Sequence, residues 1–241
     1  MTENDDRRAQ TIRDLTRQLQ QVERSRGRDP RGKPARPWPT GIDPLDRLLP
    51  EGGFLPGTLT EWLTDGAGTG AVTLALLAVR RTLQEIGGAL VVVDLQQEFH
   101  SRAAAQLGIN LDQIILVRPA TARDALWTLE QALRSAGAVI SFGWIEQANN
   151  RTLRRLQLAA EVGGGLGMLI RPIAARRQPC WAQLRLVVRP LPAAESSSGR
   201  RLRIELLHNH GEQAIHVELD DETGDVHLVP PVVSAARRQR A

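Results

Sequence analysis

Apolar positions along this chain follow three different rhythms, and each predicts a different architecture. In residues 5–25, Ile12, Leu15, Leu19 and Val22 recur at helical spacing, so they line one side of a predicted helix with Arg and Glu elsewhere. That narrow stripe suits docking to a partner or a second copy, or a helix laid back on its own domain. Pro30, Pro34, Pro37 and Pro39 then stop any helix and read as a linker, which sets 1–39 apart as an N-terminal extension.

From 40 to 192 short apolar runs alternate with amphipathic segments. Helices are predicted at Leu74 to Ile86, at Ala103 to Leu107, from the Thr121/Asp124 start signal through Leu126, Leu129 and Leu133, and through Leu153, Leu156 and Ala160 to Gly163. Ala89 to Asp94, Ile114 to Val117, Ala138 to Phe142 and Leu166 to Ile170 are continuous apolar runs, which a sheet covered on both faces requires. This order predicts an α/β fold, a mostly parallel sheet flanked by helices. In 193–241 the rhythm drops to two. Leu202, Ile204 and Leu206 alternate with Arg201, Arg203 and Glu205, Ile215, Val217 and Leu219 repeat the pattern, and a turn at 221–225 leads into Val226 to Val229. An antiparallel β extension on the edge of the main sheet is expected, ending in a basic tail.

Composition narrows the setting. The single cysteine, Cys180, excludes an internal disulfide framework, and no Cys/His spacing forms a zinc pattern, so no metal is expected. His208 and His210 share one face of a strand or sit in a solvated loop. No apolar run approaches the ~18 residues of a membrane span, and the charged N-terminus lacks a signal-peptide core, so a cytoplasmic protein is expected. Net charge is +4, concentrated at the ends, with Arg237, Arg238 and Arg240 in the tail. The middle is slightly acidic, so any phosphate-backbone contact would come from the arms or a local arginine stripe.

The stretch from Asp65 to Thr73 has the glycines of a phosphate-cradling loop, with Gly66, Gly68 and Gly70. A working loop reads G-x-x-x-x-G-K-[ST], the Lys reaching the β/γ oxygens and the hydroxyl ligating Mg²⁺. Counted back from Gly70, the first glycine position holds Asp65, the lysine position Ala71 and the hydroxyl position Val72. The chain's one lysine, Lys33, lies far upstream. An aspartate would also repel a triphosphate.

Thr40-Gly41 with Leu45-Asp46, then Gly52-Gly53 with Gly57, then the glycine loop, resemble the entry to the RecA-type ATPase core. The likeness runs over residues 38–172 and includes Val93-Asp94-Leu95-Gln96. It implies a catalytic glutamate where this chain has Gln96 and a magnesium-holding aspartate where it has Gly143, with Glu98 and Glu146 as displaced carboxylates nearby. The lysine, hydroxyl, glutamate and aspartate are thus all replaced, so neither catalytic residues nor a bound cofactor are expected. Within RecA-like proteins, the block 152–161, Leu169 to Pro172, Pro179 and Ala182 to Leu186 is similar to the ImuA family. That resemblance implies an adaptor in translesion synthesis, working with an ImuB-like scaffold and an error-prone DnaE-type polymerase. The alternatives are an active RecA-family ATPase and a division inhibitor of the SulA kind.

Candidate contact residues are Arg151, Arg154 and Arg155 on one helix, followed by Arg171, Arg176 and Arg177, for an acidic partner surface or a DNA backbone. Of the tryptophans, Trp62 and Trp127 are expected to be buried. Trp144 is placed to fill a vacated nucleotide pocket, and Trp181 to stack on an unpaired base.

Overall fold

The computed structural model describes residues 36–193, 199–208, 211–221 and 223–230. The expected N-terminal helix, most of the linker, the arginine tail and the imidazoles of His208 and His210 lie outside the described residues.

The entry motif folds on itself. Helix α1 (Asp43–Leu48) is anchored by Asp46, whose carboxylate accepts from the Thr40 amide and hydroxyl, both at 2.8 Å. Trp38 and Phe54 form a two-way backbone bridge (2.7 and 2.9 Å), and a Cβ on Gly53 would overlap the Trp38 carbonyl. The glycine is there because two backbones touch.

Alternation of strand and helix then builds the core. Strands β1 (Thr58–Thr64), β2 (Ala89–Val93), β3 (Ile114–Val117), β4 (Ala138–Trp144), β5 (Leu166–Pro172) and β6 (Leu184–Pro190) are all parallel. They are joined through α2 (Ala71–Ile86), α3 (Ser101–Gln106), α4 (Ala122–Arg134) and α5 (Asn150–Gly163), with short 3₁₀ turns at Leu111–Gln113 and Ile173–Arg177. Antiparallel β7 (Arg200–His208), β8 (Gly211–Leu219) and β9 (Val226–Leu228) continue the same sheet, in the order β3-β2-β4-β5-β1-β6-β7-β8-β9. The fold is the expected one, a mostly parallel sheet flanked by helices and extended by antiparallel strands, and it is consistent with a RecA-like core.

Each face of the sheet carries its own core. On one, Trp62, Leu90, Val92, Ile140 and Phe142 pack under α1 and α2, and Leu202, Ile204, Val217 and Leu219 extend that core into the antiparallel strands. On the other, Leu59, Val91, Val93 and Leu169 pack under Leu129 and Leu133 of α4 and Leu153 and Leu156 of α5. Burying each such side chain contributes roughly 1.5–3 kcal/mol. Gln157 ties α5 to the start of β1, accepting from the Leu59 amide (3.2 Å) and donating to the Gly57 carbonyl (3.2 Å). Among the described residues no helix is long and apolar enough to cross a membrane.

Two expectations of burial are corrected. Strand β3 is an edge strand, hydrogen-bonded only to β2, and Ile115 is 53% exposed. Trp127 is 61% exposed, because it lies on the side of α4 opposite Leu129, whereas Trp62 is fully buried as expected.

Candidate functional site

Parallel strands leave their carboxyl ends along one edge, where loops from separate strands meet. The loop from β1 to α2 lies there, with Gly66, Gly68 and Gly70 all at positive φ. Thr64 and Thr69 hold it closed: their hydroxyls share a short hydrogen bond, and the proton not used in it is donated to the Gly66 carbonyl, which lies 3.1 Å from the Thr64 hydroxyl and 3.2 Å from that of Thr69. The three glycines let the loop turn tightly ahead of α2. Its side chains depart from the phosphate-loop pattern. Ala71 and Val72 open α2 without a polar side-chain atom, and Leu202 of β7 packs so closely over Gly70 that a Cβ there would sit 2.9 Å from it. The loop's Asp65 carboxylate faces Arg189 of β6 at 3.8 Å, and Arg200 reaches the Thr73 hydroxyl at 3.4 Å while pairing with Asp221.

A cavity of about 270 Å³ lies beside the loop, lined by Asp65 and Gly66 on one side and by Gln96, Glu98, Trp144 and Glu146 on the other. Gln96 sits within the turn after β2, which Asp94 fixes by accepting from the Glu98 amide (2.8 Å) and the Phe99 amide (3.1 Å). The sequence candidates Gln96, Glu98 and Glu146 are therefore brought together with the loop. Gly143 is not on this cavity. It lines an adjoining apolar one of about 170 Å³, where a Cβ would meet the Val93 carbonyl at 3.3 Å. Trp144 lines both, half-buried, with its ring edge-on to Phe142 at 5.2 Å.

Among the described residues three carboxylates thus line the loop cavity, and one cation, Arg171. Arg171 is fully buried and paired with the fully buried Glu61 of β1, whose other oxygen accepts from Arg185 at 2.8 Å. Arg185 also donates to the Ala175 carbonyl (2.7 Å), and Arg171 to Gln178 (3.0 Å), so the network fastens the segment after β5 onto the sheet. Cys180 sits beside this network. Burial, reinforced by the charge of Glu61, pushes its thiol up to about 12. Sequence reasoning missed the network. The available signal was an acidic residue, Glu61, in the middle of the strand segment leading into the loop.

The expected contact residues separate. Arg171 is inside the protein and cannot meet an external partner. Arg154 lies over the Trp181 ring, 4.3 Å from its centroid, so that ring face is already occupied and is not open to a base. Arg155 pairs with Glu130 of α4, and Arg176 with Glu205 at 2.7 Å. Arg151 and Arg177 are exposed. No group of His, Cys, Asp and Glu suited to a metal ion occurs among the described residues.

No family model matches the chain. Curated RecA proteins do: that of Enterococcus hirae is 30% identical over 129 residues, 54% of this chain and 35% of the relative. RecA of Enterococcus faecium gives 30% over 129 residues, 54% and 34%, and RecA of Francisella tularensis subsp. novicida 33% over 102 residues, 42% and 28%. The match spans about a third of the length of these relatives. Over that stretch the chain is similar to the RecA proteins, and its mostly parallel sheet is consistent with a RecA-like fold.

Proposed function

We propose that this protein is a RecA-like adaptor of the DNA-damage response that does not turn over ATP. In this reading it supports translesion synthesis by holding an ImuB-like scaffold and an error-prone DnaE-type polymerase together, as the resemblance to the ImuA family implies. The observation that carries the reading is the chemistry around the glycine loop. Asp65, Glu98 and Glu146 line the cavity that a nucleotide's phosphates would approach, and Arg171 is already engaged by Glu61. Phosphoryl transfer depends on cations placed against the developing charge, and like charges repel there. Ala71, Val72, Gln96 and Gly143 supply neither the cation, the metal ligand nor the base. The basic segments at either end of the chain add weak, salt-sensitive contact with DNA.

Affinity purification of the tagged chain from cells exposed to a DNA-damaging agent tests the adaptor role. A scaffold protein and a polymerase are expected in stoichiometric amounts. Recovery of neither would remove that role.

One observation favours a second reading, an active ATPase of unusual design. Glu98 and Glu146 line the same cavity as the loop, so a carboxylate stands within the site to polarise water. ATP turnover lost in the double variant Glu98→Gln, Glu146→Gln would establish it.

A further inference from the structure

Helices α4 and α5 carry two matching stripes on their sides away from the sheet, mostly exposed around the buried Glu130. On α4, Arg123, Trp127, Glu130 and Arg134 recur at i, i+4, i+7 and i+11, turned from the buried Ala125, Leu129 and Leu133. On α5, Arg151, Arg155, Leu158 and Val162 recur at the same spacings, turned from Leu153, Leu156 and Ala160. Glu130 locks the stripes together, bonding Arg134 of its own helix at 3.1 Å and Arg155 of the other. The result is a two-helix face with four arginines, one carboxylate already shared between two of them, and three exposed apolar side chains: Trp127 at 61%, Leu158 at 39% and Val162 at 64%. Tryptophan and arginine are both enriched among the few residues that carry most of the binding energy at protein interfaces.

We infer that this α4–α5 face is a docking surface for an acidic, amphipathic helical segment of a partner protein. Its apolar side chains cover Trp127, Leu158 and Val162, and its flanking carboxylates meet Arg123, Arg134, Arg151 and Arg155. Charge decides the occupant. A second copy, docking two-fold, would set arginine stripe against arginine stripe. A nucleic-acid backbone would satisfy the arginines and leave Leu158 and Val162 in water. An amphipathic helix laid along the paired helices buries both kinds of group, with anchors at the same i, i+3, i+4, i+7 spacing.

The inference rests on the adaptor reading and deepens it. It is tested on the full chain with two fluorescent synthetic peptides of about 18 residues, identical in their helical leucine stripe and flanked by Glu in one and Lys in the other. The Glu peptide is expected to saturate, with the Lys peptide at least about tenfold weaker. Trp127→Ala and Arg151→Glu should each weaken the Glu peptide by about tenfold or more. Both positions are exposed, and unchanged circular dichroism and melting confirm that the variants fold. No saturation by the Glu peptide up to ~1 mM, equal binding of both peptides, or indifference to both substitutions overturns the proposal. So does a result in which these substitutions abolish self-association or oligonucleotide binding while sparing the peptide. Peptide failure without ATP turnover removes only this face, whereas ATP turnover removes the adaptor reading whatever the peptides do.

Discussion

At Glu61 a single carboxylate, sealed from water, serves Arg171 and Arg185 at once. Neutralising it leaves a buried guanidinium without its counter-charge, so Glu61→Gln should lower unfolding stability by about 3–5 kcal/mol, read as a urea midpoint. A midpoint within error of the parent would contradict this account of the network. The same burial protects Cys180. With its thiol pushed up to about 12, little thiolate exists near neutrality, and thiolate is the reactive form. Iodoacetamide at pH 8 should alkylate Cys180 only once denaturant is added, and rapid reaction of the native protein would be inconsistent with the packing described. Side chains such as these were hardly legible in the sequence. Arg171 looked like a contact residue because its partner lies 110 positions away on a neighbouring strand. Trp127 was legible in principle, being out of phase with Leu126, Leu129 and Leu133 on its own helix.

The pairing of α4 with α5 depends on a contact that only glycine permits. A Cβ on Gly163 would overlap the Leu133 carbonyl, so Gly163→Ala must push the helices apart, at about 1–3 kcal/mol and a lowered melting temperature. An unchanged melting curve would mean that the helices can part freely. Glu130 links the same helices and adds a pH dependence. Burial pushes its carboxyl up, but hydrogen bonds from Arg134 and Arg155, with their charges, outweigh this and hold it below its ordinary value. A carboxylate lowered in the folded state stabilises above its unfolded pKa of about 4.3, and that stability disappears as pH falls through the folded value. Glu130→Gln should therefore be less stable than the parent at neutral pH, and the gap should close in acid. A gap independent of pH would refute the ion-pair assignment. Elements were the most legible level of the sequence. Ala89–Val93 and Ile114–Val117 are similar apolar runs, and nothing local distinguishes the central β2 from the edge strand β3, since strand order is set by distant pairings. Strand β6 is not legible locally, because Arg185 and Arg189 interrupt its apolar run, although Arg185 points into the Glu61 network.

Taken whole, the molecule combines a RecA-like sheet and a well-formed glycine loop with a cavity of the wrong charge for phosphate. The backbone framework could be read from the order of runs, turns and glycines. The charge of the cavity could not, because Asp65, Glu98, Glu146 and the Glu61–Arg171 pair come from four separate stretches that only the folded sheet assembles. Titration calorimetry of the 241-residue chain with magnesium-ATP, run alongside a phosphate-release assay, decides whether the loop still serves a nucleotide. The account predicts no saturable heat and no turnover above buffer. Saturation at micromolar nucleotide with steady phosphate release would contradict it.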